Sequence, residues 1–155
     1  MKKTLPLFLI CILICCGAHA QRTEVYNPHI HTVQVIANND YMAPAVIRLG
    51  EGETVEISFD HLTHDYHRYQ YVLTHCNADW TPSDLSETEY LDGFNDNPIE
   101  DHDISVNTTL PYTHYRLTFP NDQVRPKLSG NYRLLVYDDA EGKNKPAFST
   151  CCLLY

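Results

Sequence analysis

Apolar and polar residues alternate with a period of two along much of the chain from residue 31 onward. This is the pattern of a strand with one face on a core and the other in water. In residues 31–37 (HTVQVIA) Val33 and Val35 share a face, and in residues 54–59 (TVEISF) Val55, Ile57 and Phe59 oppose Glu56 and Ser58. Residues 68–76 (RYQYVLTHC) alternate through Tyr69, Tyr71 and Leu73, and residues 115–119 (YRLTF) set Tyr115, Leu117 and Phe119 against Arg116 and Thr118. A short run follows Pro44 at 45–49 (AVIRL), and the aromatic-rich runs 131–137 (NYRLLVY) and 147–155 (AFSTCCLLY) complete the set. Turn chemistry separates them: GEGE at 50–53, PND at 120–122, LSGN at 128–131 and DAEGKNKP at 139–146. Seven strands punctuated in this way predict an all-β fold, an immunoglobulin-like antiparallel β-sandwich, and disfavour helix-rich or doubly wound architectures.

One stretch breaks the pattern. Residues 75–105 carry nine carboxylates and no lysine or arginine. They are too irregular for a helix and too polar for a core strand. The helix-compatible piece is 82–91 (PSDLSETEYL), with Ser83 as a cap and Ser86 and Glu87 following. The expectation is one long acidic excursion between strands holding at most a turn or two of helix. Long ordered connections in compact domains tend to carry function.

The first twenty residues read as a targeting segment. Lys2 and Lys3 precede an apolar run from Leu5 to Cys16 that is too short to cross a membrane, and Ala18-His19-Ala20 supplies a small-x-small cleavage site. A cleavable signal peptide over 1–20 leaves residues 21–155 as one exported domain. No later run approaches transmembrane length. Loss of Lys2 and Lys3 leaves 9 basic residues against 20 acidic ones, a formal charge near −11. That balance repels nucleic acid and anionic headgroups. Three cysteines leave with the leader and Cys76, Cys151 and Cys152 remain, which permits one bridge from Cys76 to either neighbour or none at all.

Three constellations resemble catalytic or metal sites. His61, His64 and His67 stand three apart beside Asp60 and Asp65, but a strand running into a turn does not aim such a set at one point, and a solvated turn is the expectation. Asp92, Asn95, Asp96, Glu100, Asp101 and Asp103 lack the alternating ligands and glycine of an EF-hand loop. His75 and Cys76 are strand neighbours and face opposite sides. No phosphate-binding glycine loop, serine elbow or HExxH motif occurs. The expectation is a protein that is not an enzyme, with no catalytic residue, no metal and no cofactor.

Recognition fits the acidic stretch better. Trp80, Tyr90 and Phe94 stand among Asp79, Asp84, Asp92 and Asp96, a mixture of large apolar anchors and charge suited to protein contact. A lone tryptophan such as Trp80 ordinarily helps to lid the core, and both roles are compatible. Partner-binding residues are expected at Trp80, Asp84, Glu87, Tyr90, Asp92 and Phe94.

The same residues carry a family resemblance. Residues 75–99 (HCNADWTPSDLSETEYLDGFNDNPI), 105–122 (SVNTTLPYTHYRLTFPND) and 127–139 (KLSGNYRLLVYDD) resemble the N-terminal domain of the Bacteroidetes type IX secretion system plug protein, across about Tyr26 to the end. The resemblance implies a periplasmic immunoglobulin-like sandwich. Its partner would be the very large outer-membrane translocon barrel, at whose periplasmic mouth the plug closes the channel when no cargo passes. It brings no catalytic residue with it. Relatives are expected to continue beyond this domain, whereas the sequence stops at Tyr155 inside the expected last strand. Two other classes share the composition: an exported carbohydrate-binding module and a chaperone-like or structural envelope module.

Overall fold

A computed structural model describes residues 23–63 and 65–155. The leader therefore lies outside the described residues. The elements in chain order are β1 (Glu24–Val25), β2 (Ile30–Ala37), β3 (Val46–Ile47), β4 (Val55–His61), β5 (Tyr69–Cys76), α1 (Glu87–Tyr90), β6 (Leu91–Gly93), β7 (Asn97–Pro98), β8 (Asp101–Ile104), β9 (Thr113–Phe119), β10 (Val124–Pro126), β11 (Gly130–Asp138) and β12 (Pro146–Leu154). All seven runs of alternation become strands, and the acidic stretch contributes α1 and the short strands β6, β7 and β8.

The strands form two large sheets. One has the order β2-β4-β9-β8, and the other β1-β12-β11-β5-β7, with β3 added in parallel to β12. Lettering β2, β4, β5, β8, β9, β11 and β12 as A to G gives A-B-E-D in one sheet and C-F-G in the other, the pairing of a constant-type immunoglobulin sandwich. A two-stranded ribbon, β6 with β10, stands beside them.

Period-two patterning decides which side chains meet between the sheets. Val55, Ile57 and Phe59 of β4 face inward, as do Tyr115, Leu117 and Phe119 of β9, Tyr69, Tyr71 and Leu73 of β5, and Tyr132, Leu134 and Val136 of β11. Phe59 is the hub. Its ring stacks on Tyr115 at 5.1 Å within its own sheet and meets Tyr69 and Phe148 of the other sheet edge-on at 5.1 and 4.9 Å. Full burial of one such ring contributes roughly 1.5–3 kcal/mol, and edge-on contacts add about 0.5–1.5 kcal/mol each.

Among the described residues, Cys76 and Cys152 carry free thiols. Register explains this. Cys76 pairs with Asn131 and Cys152 with the next residue, Tyr132, so the two thiols project from opposite faces of the sheet. Cys151 shares the face of Cys76, but β11 runs between them and they stand two residues out of step along it, opposite Arg133 and Asn131, so they are more than about 9–10 Å apart, the width of two strand spacings, and beyond the reach of a bridge. Burial raises both the Cys76 and Cys152 thiols above the ordinary value.

A candidate docking surface

The acidic stretch is an ordered shelf. It leaves β5 through a tight loop in which Asn77 N–H donates to Thr81 C=O at 2.8 Å, and Asp79 accepts from both the N–H and the hydroxyl of Thr81 at 3.1 and 2.6 Å. Those bonds hold the Asp79 carboxyl below its ordinary value. They also fix Trp80 at φ 66°, a left-handed conformation that costs a bulky residue roughly 1–2 kcal/mol. Asn131 ties the loop to β11 by donating to Asn77 C=O at 3.0 Å.

A single helical turn follows. The cap is Ser86, not Ser83 as the sequence suggested: its N–H and hydroxyl both donate to the Glu89 carboxylate at 2.7 Å. This turn rolls Tyr90 inward, and β6 then pairs with β10, setting Asp92 opposite Arg125 and Gly93 opposite Val124. Gly93 has φ +102°, and a Cβ there would lie 2.0 Å from the Gln123 carbonyl oxygen, so the close approach requires glycine. The next residues return to the second sheet. Asn95 bonds both main-chain groups of Leu73 at 2.8 Å, and Ile99 N–H donates to Tyr69 C=O at 2.8 Å.

Bases absent from the stretch itself reach it from distant strands. Arg116 of β9 grips Asp101 at 3.0 Å and Asp103 at 2.6 Å, holding the Asp103 carboxyl below the ordinary range. Lys143 sits 2.9 Å from Asp96, which also accepts from the Tyr137 hydroxyl. Burial pushes the Asp96 carboxyl upward, and those two donors overcome it, so its pKa is lowered on balance. The residues weighed as a calcium loop are thus engaged separately: Asn95 on Leu73, Asp96 on Tyr137 and Lys143, Asp101 and Asp103 on Arg116.

Among the described residues no ion pair reaches Asp84, Glu87 or Asp92, all exposed. Arg125 faces Asp92 in register but turns its guanidinium to Asp122 at 2.7 Å. Phe94 projects beside them with 83% of its surface in water. Trp80 is half-buried. Tyr90 departs from the expectation: it is 4% exposed, with its hydroxyl donating to Leu73 C=O at 3.2 Å, so it anchors the shelf to the core and offers no side chain to a partner.

The histidine run is also organised differently from a solvated turn. His61 is 2% exposed and meets His67 at 4.2 Å between ring centroids, while His67 Nδ1 bonds Asp138 at 2.5 Å. His64 lies outside the described residues. His75 Nδ1 bonds the Ser83 hydroxyl at 2.9 Å and its ring packs against Tyr90 and Tyr132, on the face opposite Cys76.

A sequence profile described as the type 9 secretion system plug protein first domain matches residues 30–155. The chain belongs to that family. Among solved structures, this plug domain is similar to a hypothetical protein from Parabacteroides merdae, with 40% identity and a TM-score of 0.83 over 88% of the present chain and 34% of the other. The present chain therefore spans about a third of that relative's length. Two further structures are too remote to bear on the plug domain's function. An alkylpurine DNA glycosylase from Pseudomonas fluorescens shares 13% identity at a TM-score of 0.44, covering 87% of this chain and 31% of that one. A Niemann-Pick type C2 protein from the Japanese carpenter ant shares 14% identity at 0.41, covering 84% and 98%. No curated protein matches the plug domain significantly.

Proposed function

We propose that this plug domain works in the periplasm without catalysis, as a rigid body that docks through its acidic shelf on the periplasmic mouth of the outer-membrane type IX translocon barrel and helps to close it. The observation that carries the reading is the fixed shelf itself, which presents Asp84, Glu87, Asp92 and Phe94 from a backbone tied to β5, β10 and β11. Closing a channel needs shape and buried area, not bond chemistry. A pre-ordered surface spares the entropy of ordering a loop at the moment of contact. Three carboxylates with no ion-pair partner among the described residues steer the encounter toward a basic or polar partner, and Phe94 supplies a ring to be buried at the centre of the contact.

The test compares the protein with its D84S/E87S/D92S variant for co-purification with the translocon barrel. Weaker retention at unchanged melting temperature is the expected result. Undiminished co-purification of the variant counts against the shelf as the docking face. Retention on an immobilised glycan array in place of the barrel would favour the carbohydrate-binding alternative.

A further inference from the structure

A cleft of about 290 Å³ opens at the side of the sandwich, between the end of β7 with the start of β8 and the turn that joins β9 to β10. It continues the shelf. Residues 98–101, the last part of the acidic stretch but four, form one wall, and residues 121–123 form the other. Phe94 is joined to both: its N–H donates to Gln123 C=O at 3.2 Å, and its C=O accepts from Nδ2 of Asn97, the neighbour of Pro98.

The walls are fixed before any guest arrives. Asn121 commits its whole side chain: Oδ1 accepts the N–H groups of Gln123 and Val124 at 3.0 and 2.9 Å, and Nδ2 donates to Thr118 C=O and to the Tyr71 hydroxyl oxygen, both at 3.0 Å. On the other side β7 pairs with β5 at Gln70 and Tyr71, and His102 Nδ1 bonds Glu100 C=O at 2.8 Å. Leu117 and Ile99, both buried, give the cleft its apolar surface. Pockets for free small molecules run upward from about 300 Å³. A cleft at that lower limit suits one long side chain brought by a larger partner.

Two features of the lining define the guest. The first is Tyr71, whose side chain is 1% exposed and lines the cleft. Asn121 donates to its oxygen, Asn97 bears on it in the same sense, and among the described residues no acceptor bonds its proton. A buried O–H so placed calls for an acceptor from outside. The second is charge. Glu100, Asp101 and Asp122 line the cleft against one guanidinium, that of Arg116, which Asp101 and Asp103 already hold. Glu100 is exposed and has no ion pair among the described residues, and Asp122 has only an exposed one with Arg125, a kind worth little. Such a lining repels an anion and attracts a cation. Among the described residues no three metal-ligating side chains converge, so the cation that fits is an organic one.

We propose that this cleft is a socket for a basic residue of the docking partner: the stem of a lysine or arginine lies along Leu117 and Ile99, its cation meets Glu100 and Asp122, and a main-chain carbonyl beside it accepts the Tyr71 proton. The socket deepens the docking reading and rests on it, since the basic residue belongs to the protein that covers the shelf. It also gives the contact a selectivity that charge steering alone lacks. An aliphatic side chain in the same place leaves the carboxylates without a partner, and an acidic one is opposed by them.

Titration of the isotope-labelled protein with N-acetylarginine methylamide, followed through its amide NMR signals, tests the socket. Shifts should gather at residues 99–101, 117–118 and 121–123, and N-acetylnorleucine methylamide, which has an apolar stem and no charge, should move them far less. E100Q/D122N changes two exposed side chains and should weaken arginine binding roughly fivefold with the fold intact. Shifts that norleucine reproduces, shifts that fall elsewhere, or an affinity unaltered in E100Q/D122N overturn the socket. So does displacement of the arginine probe by maltose, which would make the cleft a saccharide site. The titration uses no barrel, so its failure leaves the shelf as docking face to the D84S/E87S/D92S comparison, and failure of that comparison leaves the titration as it stands.

Discussion

Asn95 folds back on Leu73 as though it were a neighbouring strand, its carboxamide oxygen accepting the Leu73 N–H and its nitrogen donating to the Leu73 carbonyl, both at 2.8 Å. The pair continues the edge of the second sheet past β7, which ends its pairing with β5 at Gln70 and Tyr71. N95A leaves the Leu73 N–H without its partner, whereas the carbonyl keeps the Tyr90 hydroxyl at 3.2 Å. Loss of about 1–3 kcal/mol in urea unfolding is expected, with faster hydrogen exchange in residues 91–99.

Tyr90 and Phe94 lie four residues apart and should separate stability from docking. F94A removes a ring that is 83% exposed and should change stability by no more than about 0.5 kcal/mol while reducing co-purification with the translocon barrel. Y90A empties a core position and should cost about 3–5 kcal/mol, read as a lower urea midpoint at unchanged slope.

Gly93 is the residue whose replacement should dislodge β6 from β10. An alanine Cβ there meets the Gln123 carbonyl at 2.0 Å, in a conformation that L-residues rarely adopt. Backbone strain alone is worth about 1–3 kcal/mol. G93A should lose hydrogen-exchange protection in residues 91–93 and 124–126 while the β5–β11 ladder keeps its own.

Tyr69 offers the opposite sign. Its ring is fully buried and its hydroxyl has no hydrogen-bond partner among the described residues, so removing the oxygen removes a desolvation cost of about 1–3 kcal/mol. Y69F should unfold at equal or higher urea than the parent. A loss of stability would reveal a partner to that hydroxyl, such as a bound water.

Acid should loosen the helical turn of the shelf. The Glu89 carboxyl is held below its ordinary 4.5 by the hydroxyl and N–H of Ser86, so its support of α1 is complete above that value and disappears as pH falls through the lower folded one. Exchange at residues 86–90 should therefore quicken as pH falls below 4.5, while the β5–β11 ladder keeps its protection.

The two-layer fold was legible because Val55, Ile57 and Phe59, or Tyr115, Leu117 and Phe119, repeat with the period of a half-buried strand. His61 continues the first of those rows, and the same periodicity places it inside, although its polarity and the two histidines after it argued for a turn. The strands β6, β7, β8 and β10 were not legible. They are two to four residues long, too short for a period to show, and the β6–β10 ribbon depends on Gly93 permitting a close approach. Tyr90 looked like surface because its neighbours are acidic, yet one helical turn suffices to reverse its direction. Charge balance was hidden too, since Arg116 and Lys143 lie well beyond Asp96 and Asp103 in sequence and reach them through the folding of the sheets.

Phe94 has a hold on either side of it. Its own N–H donates to Gln123 C=O at 3.2 Å, and the next residue clasps Leu73. Traction applied to that ring by a moving partner would be divided at once between the strand edge at β5 and the ribbon at β10. The grip point is thus tethered like a bridge deck from two towers, able to bear load without peeling from one side.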